Sequence, residues 1–250
     1  ANVEHAPLID GNGILYAGSG GKFYALFYKD LPGLQVHYPF SGNAIDASGN
    51  DLNGTITGNV TLTPDRNGTA NGAFDFDGVN GRIDSVANLP DSASITVSCW
   101  IRFDSLPGST DCIFWDGDVT LNKDCRVSLI NTGQIQFITK DDDVLLSAIG
   151  SPLATGAWHH VLCVADDVRN VKAIWLNGVK LGEDTSWTGT ANVGTHSAIK
   201  LGVGESGGSP TGWFDGKLDE VRVYNRGLSA DEVQYLFKLV DGTKVAVKWT

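Results

Sequence analysis

The 250-residue chain contains no methionine, few charged residues (19%) and no run of lysine or arginine. Phosphate recognition needs clustered cations, so the net charge of −11 argues against a nucleic-acid partner. It argues equally against an anionic membrane surface. No stretch approaches the roughly 20 apolar residues of a membrane span. Residues 1–10, ANVEHAPLID, lack the basic and apolar regions of a secretory signal. Only four cysteines occur, with no CxxC and no His/Cys spacing of a zinc site. Serine-nucleophile motifs, phosphate loops, internal repeats and low-complexity segments are missing, as is any linker to a second complete domain.

What is present is glycine and extended apolar runs. The 31 glycines point to many tight turns, and 42% hydrophobic residues suffice for one large domain. Asn177-Gly178 between two strand-like runs predicts a type I′ hairpin, and Gly133 marks another. Asp141-Asp142-Asp143 reads as a solvated turn. In Ile95–Phe103, Cys99 alternates with Val97 and Ile101, and Cys163 sits in Val161–Val164. Both read as small core residues. Cys112 and Cys125 flank a loop and could pair. Ser229-Ala-Asp-Glu232 is a capping box, and Val233, Leu236, Phe237 and Val240 follow at helical spacing. The aromatic run Phe23–Tyr28 reads as a strand that needs cover, either on the domain itself or on another chain.

Three runs are distinctive: residues 34–80, dense in Asp, Asn and Gly; Trp158-His159-His160-Val161; and Trp213-Phe214-Asp215-Gly216-Lys217-Leu218-Asp219-Glu220, continuing to Arg226. With the closing Tyr224–Val233 segment they resemble the laminin-G-like, concanavalin A-like lectin/glucanase family in wording and order. The resemblance covers roughly residues 34–240. It implies an all-β fold: an antiparallel β-sandwich of jelly-roll type with one short C-terminal helix. Residues 1–33 then form an N-terminal extension or docking arm, and residues 241–250 a short tail that forms a strand or contact arm.

The resemblance also implies one structural calcium, held by Asp46, Asn50 and Asp219, with Asn43 and Asp77 as weaker ligands. Calcium takes six to eight oxygens, and Asp46–Gly54 is a turn rich in them, although turns use the same residues for their own geometry. Glycan recognition pairs an aromatic face with groups that read hydroxyls. Trp115 with Asp116 and Asp118, and Trp187, lie in apparent loops, near Asn122 and Asn192; Trp213 is a further platform. Trp100, Trp158 and Trp175 read as core. Glucanases of this fold carry a Glu-x-Asp-x-(x)-Glu strand motif that is missing here. Asp75 and Asp77 share a strand face, whereas Asp219 and Glu220 point apart. Successive strand residues also diverge at His159-His160, which reads as framework. N-x-T sequons at Asn53, Asn59 and Asn67 matter only in a eukaryotic secretory host.

The expected function is therefore non-enzymatic: a recognition or adhesion module, extracellular or surface-displayed, for a glycan or cell-surface polysaccharide. The alternative is a structural virion protein, decorating a capsid or fibre, that contacts other assembly subunits, or copies of itself, through residues 1–33. A glycoside hydrolase or polysaccharide lyase is the weakest reading.

Overall fold

The computed structural model describes residues 8–9, 14–19, 22–27, 30–118, 123–139, 143–146, 153–189, 198–239 and 246–248. For residues 8–27, 118, 123–124, 143–146 and 246–248 the description is of the backbone. In chain order the strands are β1 (Leu8–Ile9), β2 (Ile14–Ser19), β3 (Lys22–Phe27), β4 (Leu34–Tyr38), β5 (Gly54–Thr57), β6 (Val60–Thr63) and β7 (Ala73–Asp77). Next come β8 (Arg82–Asn88), β9 (Ile95–Arg102), β10 (Thr110–Asp118), β11 (Lys123–Ile130), β12 (Ile135–Thr139), β13 (Asp143–Leu146) and β14 (His159–Asp166). The series ends with β15 (Val171–Leu176), β16 (Val179–Asp184), β17 (Ala198–Leu201), β18 (Gly204–Ser206), β19 (Ser209–Thr211), β20 (Asp215–Tyr224), helix α1 (Ala230–Lys238) and β21 (Ala246–Lys248).

Two antiparallel sheets stack. The front sheet runs β13-β12-β11-β10-β17-β8-β5, and the back sheet runs β16-β15-β14-β9-β20-β7-β6 with β4 also on β20. Period-2 alternation sends one face of each into a shared core: Ile83, Phe114, Val127 and Phe137 from the front, Val97, Cys99, Ile101, Val161, Cys163 and Ile174 from the back. The opposite face of the back sheet is covered by α1, where Val233, Tyr235 and Leu236 meet Leu162, Val164 and Tyr224. The expected capping box starts that helix: Ser229 Oγ accepts from Glu232 N, and Glu232 Oε2 accepts from Ser229 N at 2.8 Å.

Both expected hairpins form. Leu176 pairs with Val179 across Asn177 (φ 50°) and Gly178 (φ 76°), the left-handed pair a type I′ turn needs. Gly133 (φ 77°) turns β11 into β12. The third turn signal lies partly outside the described residues, at Asp141 and Asp142.

Strand β20 changes partner midway, from β7 over Asp215–Leu218 to β4 over residues 221–224. A bulge at Asp219-Glu220 makes the change, with Glu220 in the left-handed region (φ 52°). The glutamate is held there by His37 Nε2 at 2.9 Å and Arg222 Nη2 at 2.5 Å.

The two chain ends meet in a separate sheet, β1-β2-β3-β21. The expected aromatic strand is β3, and the expected tail strand is β21, which pairs with it through Ala246–Leu26, Val247–Ala25 and Lys248–Tyr24. The disulfide left open between Cys112 and Cys125 does not form: both are buried, with Cys112 opposite Ser128 and Cys125 opposite Asp116. Burial also pushes the Cys99 thiol up to about 12, as befits a core residue.

Candidate functional site

A charged strip crosses the solvent side of the front sheet. Ile83, Leu201, Phe114 and Val127 face the core, so their neighbours Asp84, Lys200, Trp115 and Arg126 face outward. These four stand in one cross-strand row: Asp84 opposite Lys200, Lys200 opposite Trp115, Trp115 opposite Arg126. The Lys200 ammonium lies 4.7 Å from the centre of the Trp115 ring and 3.3 Å from Glu205 Oε1, on the β18–β19 hairpin. Beside them Arg82 Nε donates to Asp84 Oδ2 at 2.9 Å. The Lys200 and Glu205 side chains are 14% and 24% exposed. On the same face Trp115 Nε1, under Lys200, and Ser128 Oγ, two residues along β11 from Arg126, are buried without a hydrogen-bond partner. Buried polar atoms are nearly always paired, so this strip retains unused hydrogen-bonding capacity beside accessible charges.

The strip revises the tryptophan assignments. Trp115 is in β10, not a loop, and is 1% exposed. It is the floor on which Lys200 rests rather than an open stacking platform. Asp116 turns inward opposite Cys125 and is buried. The Asp118 side chain, Asn122 and Asn192 lie outside the described residues. Trp187 does follow β16 in a loop, but it is 4% exposed and packs into the core. Trp213 is half-buried on the loop before β20. Conversely Trp100, Trp158 and Trp175 are only half-buried and do not belong to the inter-sheet core. Trp100 stacks on Phe237 at 5.9 Å, and Trp175 packs on the α1 cluster.

The proposed calcium ligands are already engaged. Asp46 Oδ1 accepts from His37 N and Ser48 N, both at 2.9 Å, and Oδ2 accepts from Ser48 Oγ and Leu52 N at 2.8 and 3.0 Å. Asn50 Nδ2 donates to the Leu34 and Gln35 carbonyls at 3.1 and 3.0 Å. Asp219 meets Arg66 Nη1 at 2.5 Å. Asp46 and Asn50 thus share one turn through Ser48, while Asp219 belongs to an ion pair on the helix side of the back sheet. Asn43 Oδ1 caps Ile45 N, and Asp77 Oδ1 accepts from Val79, Asn80 and Gly81 N–H groups. Among the described residues no cluster of three or more His, Cys, Asp or Glu could hold a metal. These side chains, as placed, fit a self-contained turn and an ion pair better than a shared cation shell.

The carboxylates that invited a hydrolytic reading are likewise occupied. Asp75 pairs with Lys217 Nζ at 3.2 Å. The backbone amides on Asp77 hold its carboxyl below the usual range, although its slight burial acts the other way. The histidine pair diverges as expected: His159 Nε2 meets Ala154 O and His160 Nε2 meets Ser98 Oγ, each at 2.9 Å. Burial, with Arg222 and Arg66 nearby, pushes His160 down to about 3.

Two stacked antiparallel sheets with, among the described residues, one closing helix define a jelly-roll sandwich. A family model described as the concanavalin A-like lectin/glucanases superfamily matches residues 76–234, more than half of the chain. The chain belongs to that superfamily. Among solved structures it resembles domain 4 of AbnA, an extracellular arabinanase from Geobacillus stearothermophilus, solved with arabinotriose. That match has 24% identity, 82% of this chain and 98% of that one, and TM-score 0.64. It also resembles the binding domain of Paraclostridial Mosquitocidal Protein 1, with 19% identity, 82% and 52% coverage, and TM-score 0.62. A third is the binding domain of botulinum neurotoxin DC in complex with rat synaptotagmin II, with 15% identity, 82% and 51% coverage, and TM-score 0.62. The chain spans about half the length of these toxin domains. At these identities the likeness is one of fold. No curated protein sequence matches the chain.

Proposed function

We propose that this chain is a non-enzymatic glycan-recognition module, displayed outside the cell or on a surface. The observation that carries the reading is the front-sheet strip. Accessible, oppositely charged side chains share a face with two buried polar atoms that have no partner, an arrangement suited to reading hydroxyl groups. Lys200 and Glu205 would exchange their mutual contact for contacts with sugar hydroxyls, while Trp115 keeps the ammonium in place. Support comes also from the arabinanase domain, which this chain matches almost end to end and which was solved holding arabinotriose. The non-enzymatic part rests on Asp75 and Asp77, since Lys217 engages the first and three backbone amides the second.

A second reading, a structural subunit of a virion or another assembly, draws on the terminal sheet. Residues outside the family match, from both chain ends, join in one sheet of their own. A glycan array with the intact chain, followed by chromatography of any bound glycan after prolonged incubation, tests the favoured reading. Binding with the glycan recovered whole is expected. Absence of binding to every glycan, or release of shortened products, overturns it.

A further inference from the structure

A concavity lies at one end of the back sheet, and none of its lining residues belongs to the front-sheet strip. It encloses about 400 Å³ between the loop before β9 (Ser92, Ala93, Ser94), the β14–β15 turn (Asp166–Arg169) and the segment after β20 (Asn225, Arg226, Gly227). That volume lies within the range of small-ligand sites.

Its walls are cross-braced. Ser94 Oγ donates to Asp167 Oδ1 and accepts from Asp167 N at 3.0 Å, tying the first wall to the second. Ser92 Oγ lies 3.0 Å from Asn225 O, tying the first to the third. Arg169 Nε donates to Asp166 Oδ2 at 2.5 Å and its Nη2 to Leu228 O at 2.9 Å. Arg226 makes a two-pronged contact with Glu232, at 2.6 and 3.0 Å, and its Nε donates to Pro32 O at 2.7 Å. A side chain at Gly227 would begin 2.1 Å from Asp166 Oδ2, so only glycine fits there. A site held this way loses little freedom on binding.

After this bracing, Asp167 Oδ2, Arg169 Nη1 and the Asn225 side-chain carboxamide carry no hydrogen bond among the described residues. They supply an acceptor, a donor, and a group that is both. The lining holds two carboxylates, Asp166 and Asp167, and two guanidinium groups, Arg169 and Arg226. Each guanidinium is balanced by a carboxylate, Arg169 by Asp166 and Arg226 by Glu232, so the groove offers no net positive charge to a phosphate or an acidic sugar. No lining residue is aromatic, and Ala93 and the 85% exposed Val168 offer small apolar contacts.

We propose that this groove binds a neutral sugar residue through adjacent hydroxyl groups, edge-on, as a subsite separate from the front-sheet strip. The inference rests on the glycan-recognition reading and gives it a second location. An array of neutral and acidic oligosaccharides identifies the tightest glycan for the intact protein. Calorimetry with that glycan then compares wild type, Asn225→Ala, Asp167→Asn and, on the strip, Lys200→Ala. Val168→Asp, which adds a charge at the rim, serves if Asn225→Ala melts early. Expected are a neutral glycan and tenfold or greater weakening by the groove variants at unchanged melting temperature. If wild type binds and the groove variants bind equally well, the groove is overturned and the recognition reading stands. The same holds if only acidic glycans bind. If wild type binds no glycan, both fall together.

Discussion

The Lys200 ammonium sits 4.7 Å from the centre of the Trp115 ring, one strand away and directly opposite in register. Each residue therefore has a different use. Trp115 is structural, and Trp115→Ala should destabilise the fold by about 3–5 kcal/mol through the cavity it leaves. Lys200→Ala, which loses a largely buried cation–π contact, should cost only about 0.5–2 kcal/mol while weakening glycan binding. Denaturant melts beside binding isotherms separate the two effects. Equal loss of stability from both variants would contradict this division.

Arg66 should be the most sensitive charged residue on the helix side of the back sheet. Its guanidinium lies 5.0 Å from the Trp100 ring centre, meets Asp219 at 2.5 Å and donates to Leu239 O at 3.1 Å. Asp219 is 1% exposed, so removing this cation should cost about 3–5 kcal/mol. Arg66→Ala should therefore unfold well below wild type in urea, and Arg66→Met with Asp219→Leu should recover most of the difference. A single variant within about 1 kcal/mol of wild type would show the pair to be dispensable.

Asp46 accepts four hydrogen bonds, one from His37 N on β4 and three from Ser48 and Leu52 within its own turn. Asp46→Ala should lower stability by about 2–3 kcal/mol, from backbone donors left without their acceptor. The loss should be the same in calcium and in chelator, as read by thermal melts. A loss that appears only with calcium present would instead assign Asp46 to a bound cation.

Acid should act through His160. Its proton is taken up near 6.5 in the unfolded chain but only near about 3 in the folded one. Below pH 6.5 the unfolded state gains protons that the folded state does not. Stability should thus fall as pH drops from about 6.5 towards 3, by a few kcal/mol at the order-of-magnitude level, and level off below. His160→Gln should flatten that part of the urea-midpoint profile. An unchanged slope would assign the acid sensitivity to other groups.

Local signals are legible where a few residues decide the structure. Asn177-Gly178 dictates its turn by backbone sterics, and Ser229 with Glu232 caps its helix, so both are legible without tertiary context. The tryptophans are not, because burial is decided across strands. Asp116-Gly117-Asp118 resembles a turn, yet β10 runs through it, with a bulge at Ile113. Asp116 shares the face of Phe114, a placement that polarity alone argues against. Trp187 owes its burial to where its loop crosses the core, which no local periodicity encodes. Trp100 is within reach: Val97, Cys99 and Ile101 face the core, so the same alternation puts Trp100 on the other side, under α1. The groove joins three loops far apart in sequence, and its serines, aspartates and asparagine each look like ordinary turn residues.

A backbone-amide NMR titration of the intact chain, with the tightest array glycan added to saturation, tests the central claim most directly. The account predicts shift changes at Arg82, Asp84, Lys200 and Glu205, with the glycan unhydrolysed at the end of the titration. Saturable binding that leaves those four residues unshifted, or cleavage of the glycan in the tube, would contradict it.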